Sequence, residues 1–240
     1  MQWMRRRVEA AFAALALIAS PALAETPDLD VIKVDAAHHK VELENEYVRV
    51  VRYVFAPHER APMHSHPSLV NVLLTDANAR ATTPDGKTSE VHGKAGSAVW
   101  RGPVTHVFEN VGDSPIVGIL VEPKGPGNPA WKPPARDSAK VDPEHHKVEF
   151  ENDQVRVERY WYGKGEKGPM HDHATNVQIA LMDSNSRLTS PDGKVTQNPT
   201  KAGTVRYREP LSHSVENPGD RYEGLLIVLK AAPATKTAAR

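Results

Sequence analysis

The sequence predicts an all-β protein made of two similar barrels or sandwiches in tandem. Three observations predict it. One segment of about 107 residues is written twice. Each copy breaks into short β-branched and aromatic runs separated by turn residues. Neither copy holds a long amphipathic helix. The 20 Pro and 15 Gly in 240 residues agree with a chain of many turns.

The elements follow in order. Residues 1–24 read as a secretory signal peptide: Arg5, Arg6 and Arg7 form its charged start, Ala10 to Ala19 its apolar stretch, and Ala22-Leu23-Ala24 its small-residue cleavage site. The apolar run falls short of the roughly 20 residues of a spanning helix. A periplasmic or secreted bacterial protein, free of the membrane after cleavage, is the expectation. The first copy spans 34–124. Val34-Asp35-Ala36-Ala37-His38-His39-Lys40-Val41-Glu42 returns as Val141-Asp142-Pro143-Glu144-His145-His146-Lys147-Val148-Glu149. About half the compared positions are identical, and the offset shortens by one near the end, where Gly118 matches Gly224. Within the copy, Val48 to Phe55 reads as a strand. Val70 to Leu74 is nearly all apolar, as in a strand buried on both faces. Pro84-Asp85-Gly86 marks a hairpin, as Pro191-Asp192-Gly193 does in the second copy. Residues 125–140, rich in Pro and Gly, read as a linker. The second copy spans 141–230, and 231–240 read as a disordered tail.

Composition excludes several functions. Thirty Lys+Arg balance 30 Asp+Glu, which removes the basic footprint of a nucleic-acid binder. Loss of residues 1–24 would take away three Arg and one Glu, leaving a slight negative balance. Without Cys there are no disulfides, thiol nucleophiles, iron–sulfur clusters or Cys-based zinc sites. No dinucleotide, P-loop or nucleophile-elbow motif occurs.

The 12 His carry the chemistry. Ten fall at matched positions: His38/His145, His39/His146, His64/His171, His66/His173 and His106/His213. In His64-Ser65-His66 and His171-Asp172-His173 the two imidazoles are two residues apart, so a strand points both to one face. The third member, His106 or His213, lies 40 residues on, where an intervening hairpin can return a strand alongside. Three neutral imidazoles with open positions suit a divalent transition metal such as Fe(II), Zn, Cu or Ni.

These motifs resemble the cupin superfamily. The first cupin motif appears as Pro62-Met63-His64-Ser65-His66 and as Gly168-Pro169-Met170-His171-Asp172-His173. The second appears as Gly96, Pro103, His106 and Asn110, and as Gly203, Pro210, His213 and Asn217. The resemblance covers nearly the whole chain after residue 33 and extends to small bacterial cupin-domain proteins of unassigned role. It implies a bicupin: two jelly-roll β-barrels (double-stranded β-helices), each with a metal between its sheets. It also implies a departure, because the usual Glu ligand is replaced by Asn71 in the first copy and Gln178 in the second. Either amide oxygen is a ligand to be tested. Without a carboxylate, oxalate-type Mn chemistry recedes and three-His iron dioxygenases of small acidic molecules become the nearer analogy. Fe(II) is favoured, with Zn, Cu, Ni or Mn as alternatives. The rival reading is a periplasmic metal- or small-ligand-binding or sensing protein without turnover.

Other matched residues receive plainer readings. The His-His doublets before the first strand read as an exposed polar segment kept by duplication, with extra ligands near the barrel mouth or a separate metal patch as the alternatives. Arg49/Arg156 and Arg101/Arg208 read as salt bridges or clamps before substrate carboxylate binders. Glu109 and Glu216 point away from the His face, and Tyr53/Tyr160 read as core. The expected partner is a small molecule, and the chain is a monomer or a homodimer.

Overall fold

A computed structural model describes residues 28–230, so the signal-peptide and tail expectations lie outside the described residues. The first copy runs α1 (Val31–Val34), β1 (His39–Glu44), β2 (Val48–Phe55), β3 (His64–His66), β4 (Leu69–Leu73), β5 (Ala77–Thr82), β6 (Thr88–Gly93), β7 (Ala98–Arg101), β8 (Val104–Asn110) and β9 (Ile116–Pro123). The second runs α2 (Ser138–Val141), β10 (His146–Glu151), β11 (Val155–Tyr162), β12 (Lys167–His173), β13 (Asn176–Ala180), β14 (Ser184–Thr189), β15 (Val195–Thr200), β16 (Val205–Arg208), β17 (Leu211–Glu216) and β18 (Tyr222–Leu229). The two helices are four residues each, as expected of a chain without long apolar helical stripes. Among the described residues no helix is long and apolar enough to cross a membrane.

Each copy folds into two antiparallel sheets. In the first their orders are β1-β2-β9-β4-β7 and β3-β8-β5-β6; in the second, β10-β11-β18-β13-β16 and β12-β17-β14-β15. The period of two explains the layering. On β2, Val51, Tyr53 and Phe55 point into the first barrel, where they pack with Leu69, Leu73, Ile116 and Leu120. Val48 and Val50 point the other way. There they join Val70, Val72, Ile119 and Val121 against Val155, Val157, Val177, Ile179, Leu225 and Ile227 of the second copy. The five-stranded sheets thus share one apolar core between the barrels. That explains the continuous apolar run of β4, buried on both faces.

Matched arginines close the edges of this core. Arg52 donates from Nη2 to the Gly203 carbonyl of the other barrel at 2.6 Å, and Arg159 does the same to Gly96 at 2.6 Å. Gly96 and Gly203 have φ of 81° and 77°, a left-handed turn that favours glycine. The expected linker is held rather than free. The Asn128 amide donates to the Asp153 carbonyl at 2.7 Å, and Arg136 pairs with Asp172 at 2.7 Å.

Asn110 and Asn217, the last residues of the second motif, are fully buried staples. The Asn110 amide donates to the carbonyls of Phe55, Ala56 and Ser114 at 3.2, 3.0 and 2.9 Å, and its oxygen accepts from the Gly112 amide. Asn217 repeats this on Tyr162, Gly163 and Asp220. Tyr53 and Tyr160 are buried as expected and lie over Gly118 and Gly224, where any Cβ would strike the phenol.

Candidate metal centres

The three expected histidines of each copy converge inside its barrel. His64 and His66 occupy alternate positions of β3, and β3 pairs with β8 so that His64 stands opposite His106. β12 and β17 set His171 opposite His213 in the same way. Ring centroids of His64, His66 and His106 lie 4.8 to 5.6 Å apart. Those of His171, His173 and His213 lie 4.7 to 5.0 Å apart. In the second barrel a ring nitrogen from each of the three lies within 4.8 Å of the others. In the first barrel the trio meeting that distance is His39, His64 and His66.

The tautomers suit metal binding. Nδ1 of His64 lies 2.8 Å from the Pro62 carbonyl, and Nδ1 of His171 lies 2.9 Å from that of Pro169. A carbonyl only accepts, so Nδ1 carries the proton and Nε2 keeps its lone pair. Nε2 of His171 is buried without a hydrogen-bond partner among the described residues, and so is Nδ1 of His213. Buried nitrogens left unpaired in this way are costly unless something coordinates them. Burial holds His106 and His213 down to about 3 and His171 to about 4, with neighbouring imidazoles adding to the effect. Burial likewise holds His173 well below its usual value. These imidazoles are neutral at physiological pH, the form that binds a cation. The residues present therefore fit a divalent transition ion.

Asn71 and Gln178 also reach the cavities, but each is engaged by a tyrosine. Asn71 Oδ1 accepts from the Tyr53 hydroxyl at 3.0 Å, and Gln178 Nε2 donates to the Tyr160 hydroxyl at 2.9 Å. Arg101 and Arg208 line the cavity mouths. Arg49 and Arg156 form the salt bridges expected of them. Arg49 pairs with Asp30 at 2.9 Å and Glu122 at 2.5 Å, and Arg156 pairs with Asp137 at 2.9 Å. Asp172, between the two histidines of its motif, faces outward to Arg136 and Ser212, which hold its carboxyl down to about 2.

The doublets depart from the expected exposed segment. His39, His145 and His146 are buried, because β1 and β10 pair inward on β2 and β11 with His39 opposite Tyr53 and His146 opposite Tyr160. His38 stacks on Phe55 and His145 on Tyr162. His39 and His146 lie 5.4 and 5.0 Å, ring to ring, from His64 and His171. Two buried carboxylates were also not anticipated. Glu122 on β9 lies 3.4 Å from Nδ1 of His66, and Glu158 on β11 lies 2.7 Å from Nδ1 of His146. Neither Glu has a counterpart in the other copy, so the repeat could not point to them.

The cavities differ. The first holds about 310 Å³ and is lined by Phe55, Leu69, Val91, Phe108 and Leu120 beside the histidines. The second holds about 90 Å³ and is lined by Tyr160, Tyr162, Tyr222, Ser186 and Asn198.

No protein-family model and no curated protein matches the chain. Solved structures do. A salicylate 1,2-dioxygenase from Pseudaminobacter salicylatoxidans is 11% identical over 76% of this chain and 71% of that one, with a TM-score of 0.50. A cupin 2 conserved barrel domain protein from Leptotrichia buccalis is 12% identical over 80% of this chain and 88% of that one, at 0.49. A cupin domain from Bordetella pertussis Tohama I is 27% identical over 36% of this chain and 92% of that one, at 0.34. The likeness to the salicylate dioxygenase, at a TM-score of 0.50, agrees with the sheet topology of each copy and shows the fold. The chain folds as a tandem cupin, two jelly-roll barrels in one polypeptide.

Proposed function

We propose that the protein is an exported metal-dependent bicupin, a non-haem iron dioxygenase-type oxidoreductase that acts on a small acidic organic molecule in its first barrel. The observation that carries this is the meeting of three imidazoles, two of them buried, at a cavity of about 310 Å³. That volume lies at the lower end of small-molecule sites. His64, His66 and His106 would hold Fe(II), and His171, His173 and His213 a second ion. A bound Fe(II) supplies the redox chemistry by which O₂ adds to an organic substrate.

The protein's own residues supply the rest. Phe55, Phe108 and Leu120 exclude water and receive an apolar ring or chain. Arg101 at the mouth offers a forked donor to a carboxylate. The Tyr53 hydroxyl fixes Asn71 at the cavity wall. Gentisate is bound in three structures of the salicylate dioxygenase that shares this fold, and it is an acid of the class this cavity would take. Export rests on the sequence of residues 1–24.

A second reading has its own observation. The second cavity, about 90 Å³, is too small for a metal and an organic substrate together. That barrel is better suited to binding or sensing a metal or a small ligand.

Anaerobic loading with Fe(II), followed by O₂ uptake with aromatic acids, diketones and thiols, tests the enzyme reading. Uptake that depends on an aromatic acid and is lost in His106→Ala is expected. Stoichiometric Fe(II) binding without uptake on any of the three classes would leave the non-catalytic reading standing.

A further inference from the structure

The two barrels share a histidine triad but differ in the fourth imidazole beside it. His39 on β1 is buried, and one of its ring nitrogens lies within 4.8 Å of nitrogens of His64 and His66. Its Nδ1 is 2.9 Å from the Asp35 carboxylate. A carboxylate on one imidazole nitrogen is the usual support for a metal-ligating histidine, since it fixes the tautomer and strengthens the other nitrogen as a donor. Among the described residues that other nitrogen, Nε2, has no hydrogen-bond partner. The His39 side chain lines the cavity that holds the triad.

His146 is the matched residue in the second barrel and also lies within 4.8 Å of a His171 nitrogen, beside Asp142, but each of its nitrogens already has a polar neighbour. Nδ1 is 2.7 Å from Glu158, and Nε2 is 3.2 Å from the Tyr162 hydroxyl. The Tyr162 hydroxyl donates to Asp142 at 2.7 Å, so towards His146 its oxygen can only accept, and Nε2 is occupied there as an N–H donor. The position matched to Tyr162 is Phe55, which has no hydroxyl to offer. One oxygen atom therefore separates an available Nε2 from an occupied one.

We propose that the first barrel binds its metal through four imidazoles, His39 with His64, His66 and His106, and the second through three, with Tyr162 withholding His146. This rests on the reading of both barrels as metal sites. His39 would add a fourth donor in a barrel that has Asn71 in place of the usual carboxylate ligand. Asp35 and Glu122 lie behind His39 and His66 and would offset the charge of a bound ion through those imidazoles.

The test uses the full chain with one site removed at a time. The triple variant H171A/H173A/H213A reports on the first barrel, and H64A/H66A/H106A on the second. Zn(II) affinity is measured by competition with a chromophoric chelator. Coordinated imidazoles are counted by pulsed EPR of one equivalent of Cu(II). Thermal melts verify folding. In the first-barrel protein, His39→Ala should weaken Zn(II) at least about 100-fold, beyond the 10–100-fold typical of losing a supporting residue. It should also remove one imidazole from the Cu(II) count. In the second-barrel protein His146→Ala should change affinity less than threefold, while Tyr162→Phe should tighten it by about tenfold or more. His39→Ala within threefold of its parent, with an unchanged imidazole count, overturns the four-imidazole site. A 100-fold loss from His146→Ala overturns the asymmetry. If the folded first-barrel parent binds no Zn(II), the metal reading of that barrel falls and this inference falls with it.

Discussion

Replacing Asn110 by Ala tests whether the second cupin motif ends in a structural staple. The side chain is fully buried and makes four hydrogen bonds: donations to the carbonyls of Phe55, Ala56 and Ser114, and one acceptance from the Gly112 amide. Alanine would strand the Phe55 carbonyl, the most deeply buried of the four, at about 1–3 kcal/mol. The other three are partly wet and lose about 0.5–1.5 kcal/mol each. Water reaching the opened space recovers some of this, so the expected loss is about 3–5 kcal/mol. At roughly 2–4 °C per kcal/mol for a chain of this size, the melting temperature should fall by about 6–20 °C. Denaturant unfolding followed by circular dichroism measures the free energy directly. Asn217→Ala should cost a similar amount, because its three carbonyl distances are 3.0, 3.0 and 2.9 Å. Asn110→Asp should be worse than Ala, since it keeps the acceptor for Gly112 but sets a carboxylate against three carbonyl oxygens. A loss below about 1 kcal/mol for Ala, or an Asp variant milder than Ala, would refute the reasoning.

Four further outcomes are expected. Gly118→Ala drives a Cβ into Tyr53, so it should cost about 1–3 kcal/mol by overpacking and release Asn71 from its hydroxyl, both readable from melts and from tyrosine absorption. Arg52→Ala with Arg159→Ala should cost only about 1 kcal/mol each, the worth of a hydrogen bond. Val72→Asp should unfold the chain in the same denaturant assay, since it puts a bare charge into the shared core. In metal-stripped protein, stability should fall as pH drops from about 6.5 towards 4. Unfolded imidazoles gain protons there, while His39 and His171 stay neutral to about 4 and His106 and His213 to about 3. The unfolded state then binds more protons, and each histidine contributes up to about 1.4 kcal/mol per pH unit; a melting temperature flat from pH 8 to 5 would contradict this.

What the sequence made legible, it made legible through the period of two and the repeat. His64 and His66 share a face because they are two residues apart. His106 reaches them because β5 and β6 form the hairpin that Pro84-Asp85-Gly86 announces. The shared core was half visible in the apolar run of β4, although a pattern of buried residues does not say which neighbour buries them. The role of His39 was hidden for a different reason. Which face of β1 turns inward depends on its register with β2, and that register shifts between Val41 and Leu43. No local pattern marks such a bulge. Read as an exposed doublet, His38-His39 looked like decoration; paired with β2, it becomes cavity wall.

The buried glutamates show why a repeat can mislead about chemistry while being right about fold. Each barrel sinks one arginine into its wall, Arg49 half-buried and Arg156 buried, with one aspartate before its short helix and one glutamate beside it. A buried guanidinium requires anionic partners, and that demand is met in both copies. It does not specify the strand from which the glutamate comes. In the first copy Glu122 stands on β9, opposite Arg49 in register, where the second has Val228 opposite Arg156. In the second copy Glu158 stands on β11, where the first has Val51. Either choice satisfies the arginine, so the fold is indifferent. The histidines are not. Glu122 backs His66, a member of the triad, whereas Glu158 backs His146, whose other nitrogen Tyr162 already holds. On the proposed assignment, the same complement of charge would strengthen a ligand in one barrel and engage an occupied imidazole in the other, making two copies with one architecture unequal as metal sites.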